Sequence, residues 1–172
     1  MKLRTVGTLL TACVLALGAA CTTAEQGDGE AASYAQPDTT AEALWTHMEE
    51  AAYTENWTLW PDKGALYMGT EPHGMLLTTY LNELALDAVT NKAGAMSAGA
   101  IVVKENYMPD STLAAITIMY KSEGYNPDVN DWFFVKRLAD GTVEASGRVG
   151  MCQGCHAQVA DNDYLFTGSL SQ

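Results

Sequence analysis

The chain of 172 residues is short of cations, cysteines and histidines, and each shortage closes off a class of function. Nine lysines and arginines stand against 21 aspartates and glutamates, a formal net charge of −12. A surface of that sign repels nucleic acid and offers no patch to anionic lipid, so neither is expected as a partner. Like charge keeps such a protein dispersed, and an acidic rim could also steer a basic partner. Four cysteines are present, at positions 13, 21, 152 and 155, with three histidines at 47, 73 and 156. A structural zinc site draws four ligands, commonly from two cysteine pairs, and no second pair exists in the mature domain. No apolar run reaches the roughly 20 residues a membrane-spanning helix needs. No internal repeat is visible either.

What is present begins with an export signal. "MKLRTVGTLLTACVLALGAAC" carries two cations, an apolar run from Val6 to Leu17 and then small residues ending at Cys21. "LGAAC" has the form of a bacterial lipoprotein cleavage site, with Cys21 lipidated as the new N-terminus, although Gly18 stands where leucine is usual. The alternative is ordinary cleavage nearby and a soluble periplasmic protein. We therefore expect a signal over 1–21 and a periplasmic location, possible attachment to the outer membrane included, with contact to membrane only through the lipid. Residues 22–38 are small, polar and mildly acidic, the composition of a tether. Residues 39–172 are enough for one domain with a core and too few for two.

Near the C-terminus stands Cys152-Gln153-Gly154-Cys155-His156. A thioredoxin-like pair would follow an early strand and open a long helix; this one comes late and is followed at once by histidine. Covalent haem attachment uses all three residues, with each thiol adding to a vinyl group and His156 ligating iron. Export agrees with this, because c-type attachment in bacteria takes place outside the inner membrane. One haem c is the expected cofactor, bound through Cys152 and Cys155.

The expected fold is α+β: a mainly antiparallel sheet with a few packed helices and the haem site arriving last. Thr39-x-x-Glu42 has the form of a capping box, and Ala41, Leu44, Trp45, Met48 and Ala52 recur at helical spacing to an end near Tyr53. "GMLLTTYLN" reads as a strand, with Asn82 capping a short helix through "ELALDAV". "GAIVVKENY" and "LAAITIMYK" read as strands joined at "MPDS", and "DWFFVKRL" and "TVEASGRV" as a hairpin around Asp140-Gly141. Alternation along 100–106 puts Val102, Lys104 and Asn106 on one face and Ile101, Val103 and Glu105 on the other. A lysine sharing a face with Val102 either snorkels to water at a sheet margin or faces something that needs an amine.

The series "EPHG", "YLN", "AIVVKEN", "DWFFV", "CQGCH", then Asp163 and Phe166-Thr167, resembles the cytochrome P-460 family of exported haem c proteins. The resemblance implies a largely antiparallel, often homodimeric fold with one five-coordinate haem, open on its distal side. It implies one of two functions. Enzymes of the family oxidise hydroxylamine, alone or with nitric oxide, towards nitrous oxide or nitrite, and the related cytochrome c′-beta proteins bind diatomic gases such as NO and CO. In the enzymes a strand lysine in a "VKE" segment is bonded to the porphyrin, and Lys104 holds the matching position. A distal carboxylate upstream of CxxCH acts as base; Glu144, twelve residues before His156, is the candidate, ahead of Asp131 and Glu105. Arg148 could reach a haem propionate. Cytochrome c′-beta proteins often carry an arginine shortly after the proximal histidine, and Ala160 stands there, which favours the enzyme branch. His73 is expected in a structural or haem-edge role. Met108, Met119 and Met151 would supply a sixth ligand only if the protein were a simple electron carrier.

Overall fold

The computed structural model describes residues 36–172; the expected signal, Cys21 and the tether up to residue 35 lie outside the described residues. A seven-stranded, wholly antiparallel sheet forms the frame, in the order β1-β3-β4-β5-β6-β7 with β2 also paired to β3. The strands are β1 (Thr58–Leu59), β2 (Tyr67–Met68), β3 (Leu76–Leu81), β4 (Ile101–Tyr107), β5 (Leu113–Lys121), β6 (Trp132–Leu138) and β7 (Val143–Gly147). Among the described residues four α-helices accompany them: α1 (Ala41–Glu50), α2 (Tyr53–Asn56), α3 (Glu83–Asn91) and α4 (Gly150–His156). The architecture is the α+β one expected. Among the described residues no helix is long and apolar enough to cross a membrane.

Both faces of the sheet are buried, which is why its central strands read as near-continuous apolar runs. Leu44 and Met48 of α1 are fully buried against Ile101, Val103, Ile118 and Phe133. On the opposite face α3 and the C-terminal segment pack on Val102, Met119, Trp132 and Phe134. Burying each such side chain stabilises the fold by about 1.5–3 kcal/mol.

The first helix starts one residue later than its sequence pattern suggests. Thr40, extended at φ −126° and ψ 149°, is the N-cap, and its side-chain oxygen accepts from Ala43 N at 3.1 Å. Glu42 then falls one place short of the position from which a glutamate could reach back, so no reciprocal capping box forms. Ala52 takes the left-handed conformation (φ 45°), which ends α1 and lets the chain restart as α2. Asn82 does cap α3, its Oδ1 accepting from Ala85 N at 3.0 Å. The strands β1 and β2, two residues each, carry too little pattern to be legible beforehand.

Candidate functional site

Antiparallel register places side chains in rungs across β4, β5 and β6, and two adjacent rungs form the floor of a cavity. Lys104 pairs with Thr117 and Thr117 with Lys136; the next rung is Val102, Met119 and Phe134. The 69–75 loop, α4 and residues 165–167 wall the space, which has a volume of about 500 Å³. That lies within the range of roughly 300–1,000 Å³ typical of cofactor sites.

Cys152 and Cys155 lie one turn apart on α4, both free thiols, both half-buried and both on the lining. Burial pushes the Cys152 thiol above its ordinary pKa. His156 ends the same helix and is 9% exposed. Its Nδ1 lies 2.6 Å from the carbonyl oxygen of Tyr164, which can only accept, so Nδ1 carries the hydrogen and Nε2 keeps a bare lone pair. Phe134 and Phe166 clasp the ring edge-on at 5.5 Å each, fixing its plane. Burial and then the field of Lys104 work against the hydrogen bond to Tyr164, and the net effect lowers the His156 pKa and favours the neutral, ligating form.

The carbonyl that orients His156 is itself held by a buried charge. Asp163 (φ 51°) and Tyr164 (φ 64°) both adopt the left-handed conformation, costly for non-glycine residues. The Asp163 carboxylate, 2% exposed, accepts from Met96 N and Lys121 Nζ at 2.7 Å each, from Trp132 Nε1 at 3.2 Å, and from Asn130. Four donors from separate parts of the chain thus fix this turn, and through it the proximal side of the cavity.

Lys104 lies on the lining with no hydrogen-bond or ion-pair partner for its amine among the described residues. Burial, with a smaller contribution from Lys63, lowers its pKa to about 8. The amine is therefore a neutral nucleophile at mildly alkaline pH, where an ordinary surface lysine is almost wholly charged. In haem-free protein a ¹³C-lysine NMR titration is expected to show Lys104 deprotonating near pH 8; a midpoint near that of a free lysine would contradict this burial. The sign for stability follows: the unfolded chain holds this proton between about pH 8 and 10.5, so folding stability from this group rises with pH across that window.

Two cysteine thiols, a bare imidazole nitrogen and apolar walls of Val102, Met119, Phe134, Leu165 and Phe166 are the donor set and surroundings that haem c requires. A family model described as Cytochrome P460 matches residues 44–167. The chain belongs to the cytochrome P460 family. It is accordingly a c-type haem protein by family. No curated protein matches the chain.

The P460 cavity brings Lys104, Cys152, Cys155 and His156 together on one lining and leaves Glu144 and Arg148 off it. Glu144 is half exposed on β7, its carboxylate 2.5 Å from Lys136 Nζ. Arg148 donates to the carbonyl of Tyr125 and stacks over that ring at 5.3 Å. Glu105 points to the opposite face of the sheet, where the hydroxyls of Tyr53 and Tyr107 donate to it at 2.9 and 2.6 Å. Asp131 accepts from Gly124 N and Asn126 N and shapes a loop. Met108, Met119 and Met151 all lie on the lining, the first and last 52% and 84% exposed and Met119 packed into the cavity floor. Sequence reasoning gave no role to Asn106, Lys136 or Asp163, although alternation had already put Asn106 beside Lys104.

Proposed function

We propose that the P460 domain binds one haem c in this cavity and oxidises hydroxylamine, alone or together with nitric oxide, towards nitrous oxide or nitrite. The observation that carries this is Lys104: a half-buried, unpartnered amine of lowered pKa on the same lining as Cys152, Cys155 and His156. A lysine buried merely to cover apolar surface would carry its amine out to water or to a carboxylate. Cys152 and Cys155 would hold the cofactor by two thioether bonds and His156 Nε2 would ligate its iron, while the Lys104 amine would bond to the porphyrin edge in place of a hydrogen, a step that gives up two electrons to an external oxidant.

When bound, the haem supplies an iron able to accept electrons from a small nitrogen ligand. The chain does the rest. Phe134 and Phe166 keep His156 in one orientation, and the apolar walls limit water around the reacting nitrogen. Protons released by the substrate leave towards Glu71, an exposed carboxylate on the lining. Electrons pass to an external periplasmic acceptor such as a soluble cytochrome c, which the acidic surface would attract if basic.

Holoprotein matured with haem-attachment machinery, given hydroxylamine and a chemical oxidant without oxygen, is expected to form nitrous oxide or nitrite in proportion to its haem content. Turnover no greater than that of a haem peptide carrying CxxCH alone would contradict the proposal.

A further inference from the structure

His73, in the loop that walls the cavity, is set up in the same way as His156. Asn106 is 4% exposed, and its Nδ2 donates to the carbonyl oxygens of Lys104 at 2.8 Å and Ala115 at 3.2 Å. Those oxygens accept only, so the amide can be placed one way round, with Oδ1 towards His73. That oxygen also only accepts, so His73 Nδ1, 3.0 Å away, must carry the hydrogen. His73 Nε2 is left with a bare lone pair, and among the described residues nothing donates to it.

The position of His73 is fixed by the sheet. Gly74 N donates to the same Asn106 oxygen at 3.4 Å, and a Cβ on Gly74 would meet Tyr107 N at 2.5 Å, so the loop lies directly on β4. Gly69 N donates to Met75 O at 2.8 Å and closes the loop. The rings of His73 and His156 line one cavity with their centroids 6.3 Å apart.

We propose that His73 Nε2 is the second axial group of the haem iron, closing in the resting protein the distal side that the family resemblance implies is open, so that an incoming ligand must displace it. This rests on the proposal that the cavity holds haem c with His156 as ligand. Two imidazoles bound through Nε2 on opposite sides of one metal ion have centroids about 6 Å apart, from a metal–nitrogen bond of roughly 2 Å and about 1 Å from nitrogen to ring centre, each taken twice. Edge-on packing of the two rings would tolerate the same separation, since aromatic pairs span about 4.5–7 Å. Packing alone, however, needs no fixed tautomer, and His156 already has two closer ring contacts. The lock on His73 Nδ1 and the bare Nε2 make sense for a group that donates a lone pair.

The consequence is control of access. Hydroxylamine, nitric oxide or carbon monoxide would bind only when the His73 loop yields, and apparent affinity falls by the fraction of time the position is open.

Absorption and EPR spectra of the ferric holoprotein test this, with covalent haem counted separately as the pyridine haemochrome. The expected result is six-coordinate low-spin iron in the wild type and high-spin iron in His73→Ala, with added imidazole restoring the low-spin spectrum. Carbon monoxide should bind the reduced variant faster than the wild type, by about tenfold or more. High-spin iron in a fully haem-loaded wild type, or a low-spin spectrum that survives His73→Ala, overturns the role of His73 and leaves the haem assignment standing. No covalent haem at all overturns both. Should His73→Ala accumulate without haem, His73→Met decides: it keeps a ligating side chain, so the sulfur-to-iron charge-transfer band of a histidine–methionine haem should appear, and a haem-loaded variant with an unchanged wild-type spectrum overturns the role of His73.

Discussion

Asp163→Ala is expected to be the most destabilising single substitution near the cavity, lowering the unfolding free energy by about 3–5 kcal/mol. The carboxylate is buried and paired with Lys121 at 2.7 Å, side chains 1% and 9% exposed, while Lys121 also lies 4.7 Å over the Trp132 ring. Removing it strands an ammonium in the interior and leaves Met96 N and Asn130 without an acceptor. It also leaves a turn with two left-handed residues, and the carbonyl that orients His156, held only by main-chain bonds such as those that Asp163 O accepts from Trp132 Nε1 at 2.9 Å and Tyr164 N donates to Val159 O at 3.0 Å. Urea unfolding followed by circular dichroism measures the loss. A change below about 1 kcal/mol would mean that the pair contributes as little as an exposed one.

Lys104→Met is expected to act on chemistry and to leave the fold in place. Methionine keeps the stem and volume on the β4 rung and removes only the amine. Haem should still attach through Cys152 and Cys155, because neither thiol depends on Lys104 for position. The absorption spectrum should shift towards that of an ordinary haem c. Hydroxylamine turnover should fall by about 10- to 100-fold, the range seen when a group tuning a metal centre from outside its ligand set is lost. Lys104→Arg should not rescue it, because a guanidinium stays protonated and cannot act as the nucleophile. Unchanged spectrum and rate in Lys104→Met would place the amine outside the chemistry.

Much of this site was legible because strand alternation is rigid. Once residues 101–107 are read as a strand, Val102, Lys104 and Asn106 must share a face, and the structure puts all three on the cavity lining. The helix cap was misplaced by one residue because Thr39 and Thr40 are equally good caps on paper, and only backbone conformation separates them. Asp163 belongs to the series that carries the family resemblance, but its role as an acceptor was hidden for a different reason. Its donors come from residues 96, 121, 130 and 132, and long-range convergence on one carboxylate leaves no local pattern. The lock on His73 was hidden likewise, since it depends on an asparagine 33 residues away in sequence.

We propose that three side chains, Cys152, Cys155 and Lys104, bond to one haem in this cavity. Digesting the purified holoprotein and weighing the haem-bearing peptides decides this. The predicted result is one species that joins the Cys152–Cys155 segment, a single haem and the Lys104 segment. A haem peptide carrying the cysteine segment alone would contradict the lysine bond, and haem extracted free of any peptide would contradict the claim as a whole.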